Sequence, residues 1–129
     1  MKRNMLKTLL FASLGIIMAI VFTSAKVSIS PPDPPGIPLV IEMHKDNCKI
    51  KYSAPLRDGG APIIGYFVEK KYISEERWTL INLRPIIELE YTVDNLTEGK
   101  QVQFRVYAIN AAGRGPVSEA CDPITVREH

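Results

Sequence analysis

The side chains that could carry out chemistry are few and widely separated. The chain of 129 residues contains two histidines, His44 and His129, and two cysteines, Cys48 and Cys121. His129 is the last residue, and His44 lies on the polar side of a predicted strand. Neither histidine therefore has an evident nucleophile to activate. We predict that the chain is not an enzyme and has no catalytic residues.

Metal and cofactor sites are also not expected. Two cysteines are too few for a four-ligand zinc site. Gly59-Gly60 and Gly113-x-Gly115 lack the strand-loop-helix context of a phosphate-binding loop. The acidic residues Glu88 and Glu90 lie in a predicted loop-to-strand stretch, and nothing indicates a cleft there. The sequence thus predicts no metal and no cofactor.

Two kinds of covalent modification concern side chains of this sequence. Cys48 opens the second predicted strand and Cys121 precedes the last one, on the other expected sheet, so we predict free thiols and no disulfide. Asn95-Leu96-Thr97 is a glycosylation sequon at a predicted corner. Asn95 is therefore a candidate glycan site if the chain is exported, and a turn residue otherwise.

Residues 1–25 have the pattern of a targeting segment. Basic residues are followed by an uncharged stretch from Leu9 to Phe22 and by small residues ending at Ala25. This pattern predicts a hydrophobic helix that serves as a secretory signal peptide. The stretch is shorter than the roughly 20 residues of a usual spanning helix, but an uncleaved membrane anchor remains open. A further alternative is that the segment comes from a mispredicted first exon.

The rest of the chain alternates apolar and polar residues between turn signals. Residues 26–38 are rich in proline and are predicted to be a linker. Residues 39–129 are predicted to form an all-β domain, a seven-stranded antiparallel sandwich of two sheets. An up-and-down barrel would usually need eight or more strands. The predicted strands contain the following apolar residues or ranges: Leu39, Ile41 and Met43; Cys48, Ile50 and Tyr52; Ile64 to Tyr72, with Tyr66 and Val68 inward; Arg77 to Ile81; Tyr91, Val93 and Leu96; Val102, Phe104, Val106 and Ala108; Ile124 and Val126.

Several segments resemble a known family. They are PPDPPGIP, DGGAPIIGYFVEK, RWTLIN, YTVDNLTEGKQVQFRVYAINAAGRGP and SEACDPITV, and together they cover about Pro31 to Glu128. They resemble fibronectin type III modules, which have an immunoglobulin-like fold, of the titin, twitchin and myosin-binding protein C group. The resemblance implies the same two-sheet sandwich.

Two positions depart from the family pattern. The family usually has tryptophan where this chain has Tyr52, and tyrosine where it has Val102. The tyrosine hydroxyl normally ties a corner back to the backbone. Because Val102 has no hydroxyl, the sequence predicts a missing bond of about 1 kcal/mol. It also predicts that Val102→Tyr raises the unfolding midpoint.

Two functional hypotheses follow, both with another protein as the partner. The first is a protein-protein interaction or spacer module that is secreted or membrane-anchored through residues 1–25. The alternative, implied by the resemblance, is a structural module of a titin/twitchin-like muscle sarcomere protein in the cytoplasm, present as a fragment. Without the N-terminal lysines and arginine the net charge is −1, which argues against nucleic acid as a partner. Residues 55–62 and 110–116 are the predicted recognition loops, and Trp78 is predicted to be a packing residue.

Overall fold

Eight strands form two antiparallel sheets in residues 28–129, which are the residues that the computed structural model describes. The small sheet has the order β1-β2-β5, and the large sheet has the order β4-β3-β6-β7, with β8 also paired to β6. The strands are β1 (Leu39–Met43), β2 (Cys48–Lys51), β3 (Gly65–Tyr72), β4 (Thr79–Leu80), β5 (Glu90–Val93), β6 (Gln101–Asn110), β7 (Gly113–Arg114) and β8 (Ile124–Thr125).

The predicted all-β sandwich is confirmed, and residues 28–129 contain no helix. Accordingly, this part of the chain has no helix that is long and apolar enough to cross a membrane. The hydrophobic helix predicted within residues 1–25, as signal peptide or anchor, lies outside the described residues.

The core lies between the sheets, where the inward positions of β2, β3, β5 and β6 meet. The predicted inward residues of β6, Val102, Phe104, Val106 and Ala108, are all fully buried. Their burial follows from the two-residue period of a strand, which places alternate side chains on one face. The other fully or nearly fully buried residues on the predicted strands include Cys48, Ile50, Tyr52, Tyr66, Val68, Val93, Leu96 and Val126.

The first strand departs from the predicted alternation. Leu39, Ile41 and Met43 were expected on one face, but Leu39 and Ile41 are exposed and only Met43 is buried. The ladder with β2 contains a bulge between Val40 and Glu42, so Val40 turns toward the core instead. A bulge adds one residue to one strand and thereby exchanges the faces on its two sides.

The last strand is split in two, so the prediction of seven strands is wrong by one. β7 and β8 both pair with β6, and between them the backbone stays bonded to β6 through Ser118 and Cys121. Pro116 and Pro123 lie in this interval. Proline has no N–H to donate, which explains why the regular ladder is interrupted there.

The segment predicted to be a linker packs against the sandwich where the structure describes it. Pro32 and Pro38 are fully buried. The backbone of this segment donates hydrogen bonds to residues 53–59, for example from Ser30 N–H to the Gly59 carbonyl at 2.8 Å. Gly59 has a φ of 82°, and a side chain there would also collide with the Ser30 carbonyl, so glycine is required twice over.

The corner before β6 is tied by a tyrosine from a different strand. Val102 makes no side-chain hydrogen bond, but the Tyr72 hydroxyl accepts one of 2.9 Å from the Thr97 N–H. Tyr72 lies directly opposite Val102 in the β3–β6 ladder. Burial alone would raise the pKa of Tyr72, but the Thr97 bond and the charge of Lys70 leave it below its ordinary value. The predicted loss of the corner bond is therefore wrong.

Candidate protein-binding surfaces

The outer surface of the large sheet carries a stack of two rings and a cation. Phe67 and Tyr107 lie opposite each other in the β3–β6 ladder, and their rings stack with centroids 5.3 Å apart. The guanidinium of Arg114 lies over the Tyr107 ring, 3.7 Å from its centroid. The β6–β7 pairing positions Arg114, because it is the partner of Ile109.

A second group of charges and one ring lies on the same surface. The Arg105 Nε donates to the Glu69 carboxylate at 2.7 Å, and both side chains are largely buried. The same guanidinium lies 4.3 Å from the centroid of the Trp78 ring, and the Lys71 ammonium lies 5.7 Å from it. Trp78 is half-buried, as its predicted packing role requires.

We call the surface of Phe67, Trp78, Arg105, Tyr107 and Arg114 the aromatic–cation face. Its side chains are held by stacking and by cation–π contacts, so little conformational entropy remains to be lost when a partner binds. Aromatic residues and arginine are also enriched at protein interfaces. Alternation along β3 and β6 places Phe67, Arg105 and Tyr107 on the side opposite the core, but the sequence patterns did not predict this face.

The two segments predicted to be recognition loops lie at the same end of the sandwich, but residues 110–116 include the last residue of β6 and all of β7, so this segment is a tight hairpin and not only a loop. The buried Asn110 amide donates to the Asp58 carbonyl at 2.6 Å and to the Ser30 carbonyl at 2.8 Å. Its oxygen accepts from the Ala112 N–H. Leu56 is the most exposed large apolar residue of this end, at 97%. The structure thus brings residues 55–62 and 110–116 together.

Cys48 and Cys121 are buried and unbonded in the structure. Burial, with Cys121 nearby, raises the pKa of the Cys48 thiol to about 12. Burial likewise raises the pKa of Cys121, whose sulfur accepts the Phe104 N–H. Thiols with raised pKa values are poor nucleophiles. Whether they stay reduced in the protein remains a prediction.

Asn95 is exposed and has a left-handed backbone, with a φ of 59°. Asparagine tolerates this conformation better than most residues, which suits the corner. The neighbouring Leu96 is in the core and the Thr97 N–H is bonded to Tyr72. Glycosylation of Asn95 remains a prediction that depends on the compartment.

The predicted chemistry-bearing residues do not converge on one site. His44 contacts Glu128 and Glu42 on the surface, whereas Glu88 and Glu90 lie along β5 and its approach. Within residues 28–129, no three His, Cys, Asp or Glu side chains are arranged to hold a metal.

His44 gives a direct prediction for a pH titration. Its Nδ1 lies 2.9 Å from the Glu128 carboxylate, and this hydrogen bond raises the pKa of His44 above 6.5. The same contact lowers the pKa of Glu128 below 4.5. The contact is therefore fully present between pH 4.5 and 6.5. It is lost as the pH rises through the raised histidine pKa or falls through the lowered carboxyl pKa.

We expect an NMR titration of the His44 ring to give a midpoint above 6.5, and Glu128→Gln to lower that midpoint. A midpoint that Glu128→Gln leaves in place would contradict the contact.

Comparison with known proteins identifies the family. The model of the family described as "Fibronectin type III domain" matches residues 24–124. The chain belongs to the fibronectin type III domain family. The resemblance drawn from the sequence is thereby confirmed.

The module is similar to muscle proteins. It is 37% identical over 95 residues to "Myosin-binding protein C, cardiac-type" of Homo sapiens, covering 74% of this chain and 8% of that protein. It is 42% identical to the titin module A71 from human cardiac muscle, covering 76% of this chain and 95% of that one, with a TM-score of 0.69. For the titin domains A168 to A170 the TM-score is 0.74 at 35% identity, with 78% of this chain and 34% of that chain covered.

The chain therefore spans about a tenth or less of the length of the myosin-binding protein C relatives. Modules of this type are structural, non-catalytic protein-interaction units, which supports the prediction that this module has no enzymatic activity.

Proposed function

We propose that this fibronectin type III module is a structural, protein-binding unit of the muscle sarcomere. The aromatic–cation face is its binding surface, and a filament protein of the myosin class is its partner. The observation that carries this proposal is the preorganised surface of aromatic rings and cations. It occurs on a module that is similar to those of myosin-binding protein C and titin.

The charge of the face indicates which part of a partner it would contact. Arg105 and Arg114 supply the two cations of the face and Lys71 adds a third beside Trp78, whereas Glu69 is bonded to Arg105. Arg114 forms no ion pair with another described residue. An acidic segment can replace water around Arg114 without breaking an existing pair, so we expect the face to bind acidic partner segments.

The binding prediction is tested with the full chain and filaments of purified muscle myosin. In a co-sedimentation assay we expect Arg114→Ser to weaken binding about fivefold to tenfold, because it removes a cation and uncovers Tyr107. Arg127→Ser is the matched control, since it removes the same charge from an exposed residue outside the face. Equal binding by both variants would contradict the assignment of the face.

The compartment is tested separately. The relatives favour the sarcomeric hypothesis over the exported or membrane-tethered one, which depends on residues 1–25. We expect the tagged full chain to give a striated pattern in cultured heart muscle cells. A chain that is recovered from the medium with an amino terminus near Lys26 would overturn the sarcomeric proposal.

A further inference from the structure

The small sheet ends in a strand whose outer edge is open. Within residues 28–129, β5 pairs only with β2. The Tyr52 N–H donates to the Leu89 carbonyl at 3.1 Å, in the same register as the β2–β5 ladder. In an antiparallel ladder, alternate residues turn their backbone groups to the opposite side. Glu90 and Thr92 therefore present N–H and C=O groups at the outer edge, where the described residues offer no partner.

The residues of β5 and the bend that leads into it alternate in chemistry. Residues 87–94 read Ile-Glu-Leu-Glu-Tyr-Thr-Val-Asp, so the odd positions are apolar and the even positions are acidic or polar. Ile87 and Leu89 are 77% and 41% exposed, although both are apolar. They line a groove beside the edge together with Pro85 and Tyr91. A single exposed leucine needs no explanation, but an apolar groove along an open strand edge does.

The polar face of the edge is acidic. Glu88, Glu90 and Asp94 are exposed, and none forms an ion pair with another described residue. A second copy of the chain is a poor occupant, because antiparallel pairing would bring these carboxylates from both copies into one short ladder. Like charges on facing strands are destabilising.

β2 shows which pattern matches this edge, since it already pairs with the inner side of β5. Lys49 and Lys51 lie opposite Thr92 and Glu90, and the residues that alternate with these lysines are apolar and buried. A strand added to the outer side would meet the same alternation of backbone groups, carboxylates and apolar side chains.

We propose that the outer edge of β5 binds an extended segment of a partner protein that alternates basic and apolar residues. The segment adds to the small sheet as a fourth strand and bonds to the backbone of Glu90 and Thr92. Its apolar side chains lie on the side of Leu89 and Tyr91, and its lysines or arginines lie on the side of Glu90 and Thr92. This surface is separate from the aromatic–cation face, so the inference goes beyond the proposed function.

The probe is a synthetic peptide of about ten residues in which valine and lysine alternate. A peptide of the same composition, with its valines and lysines in two blocks, is the control for charge attraction alone. With the full chain we expect the alternating peptide to bind at least about tenfold more tightly, because only it can place every side chain on its matching face. On binding, hydrogen exchange should slow at the amides of Glu90 and Thr92.

Thr92→Pro tests the backbone contact. It removes an N–H that β2 does not use, at an edge position where proline is tolerated. We expect it to lower the affinity for the alternating peptide at least about tenfold, because a hydrogen bond is lost and the proline ring blocks the edge. The double variant Glu88→Gln, Glu90→Gln tests the charge contribution without altering the backbone. We expect it to bind the alternating peptide more weakly and to make that binding less sensitive to salt.

The proposal is overturned if the two peptides bind equally, if both sets of variants leave binding unchanged, or if the protected amides belong to β1 or β4 instead. Arg114→Ser should leave the peptide affinity unchanged, and Thr92→Pro should leave myosin co-sedimentation unchanged. Failure of this inference can thus be told apart from failure of the proposed function.

Discussion

Replacing Asn82 by alanine is expected to lower the free energy of unfolding by about 3 kcal/mol, since three hydrogen bonds are lost and a buried backbone N–H is left without a partner. The Asn82 oxygen accepts the Val68 N–H at 2.8 Å. Its nitrogen donates to the carbonyls of Tyr66 at 3.0 Å and Arg84 at 2.7 Å. Val68 is fully buried, so water has no access to its freed N–H, whereas the Tyr66 carbonyl keeps the hydrogen bond that it accepts from the Ile86 N–H at 2.9 Å.

The effect is large because Asn82 replaces a missing strand partner. β4 pairs with β3 at only two residues, and Ile86 forms an isolated bridge with Tyr66 farther along. Between these points the Asn82 side chain bonds to the backbone N–H of Val68 and to the carbonyl of Tyr66 on the edge of β3. The amide thus stabilises the stretch of edge that β4 leaves uncovered.

Denaturant unfolding of the full chain measures this effect, and Asn110→Ala is the matched comparison. Asn110 also makes three hydrogen bonds, but its partners Ser30, Asp58 and Ala112 are exposed residues. Water can replace the lost amide there, so we expect a loss of only about 1 kcal/mol. An equal loss in both variants would show that burial of the partners does not set the cost.

Replacing Tyr72 by phenylalanine is expected to cost about 1.5 kcal/mol of stability, since the Thr97 N–H loses its acceptor while the ring stays in place. Tyr72 is 6% exposed and belongs to the core cluster. The ammonium groups of Lys70 and Lys100 lie 4.9 and 5.2 Å from the centre of its ring. Phenylalanine keeps these packing contacts, so the variant isolates the hydroxyl.

The structure also reverses the expectation for Val102→Tyr. Val102 is fully buried directly opposite Tyr72, and the corner acceptor is already supplied. A second tyrosine would overpack this region, at a cost of about 1–3 kcal/mol. We now expect Val102→Tyr to lower the unfolding midpoint.

The double variant Tyr72→Val with Val102→Tyr distinguishes the two explanations. It exchanges the residues across the ladder and returns the tyrosine to its usual position in the family. We expect it to be more stable than either single replacement, as coupled neighbours are not additive. If Val102→Tyr alone raises the midpoint, Tyr72 is not the functional substitute for the corner tyrosine.

Much of the fold follows from local patterns in the chain. The alternation of Val102, Phe104, Val106 and Ala108 predicted a core face of β6, and all four are buried. Other features escaped prediction, because a bulge such as the one after Val40 changes the face of a strand without a distinct sequence signal. The sequence shows the prolines that interrupt the ladder between β7 and β8. Their place along a strand depends on the pairing with β6, which the sequence does not reveal.

The surfaces were harder to predict than the core. The cysteines, Asn95 and the two loops were identified by residue type, whereas the aromatic–cation face depends on which residues of β3 and β6 lie opposite each other. Arg114 reaches Tyr107 only through the β6–β7 pairing. The register of a ladder is a long-range property, so residue types alone do not specify such contacts.

The amino-acid sequence by itself determined the fold class, the family resemblance and most of the buried positions, because burial follows a two-residue period that can be read along one strand. Only the tertiary structure decided that Tyr72 takes over the corner from Val102, that Asn82 completes the edge of β3 and that β5 keeps an open edge. Each of these depends on atoms that are distant in the chain and meet through strand pairing. The register of the strands therefore sets which hydrogen bonds and charge contacts form, and a local sequence pattern does not specify that register.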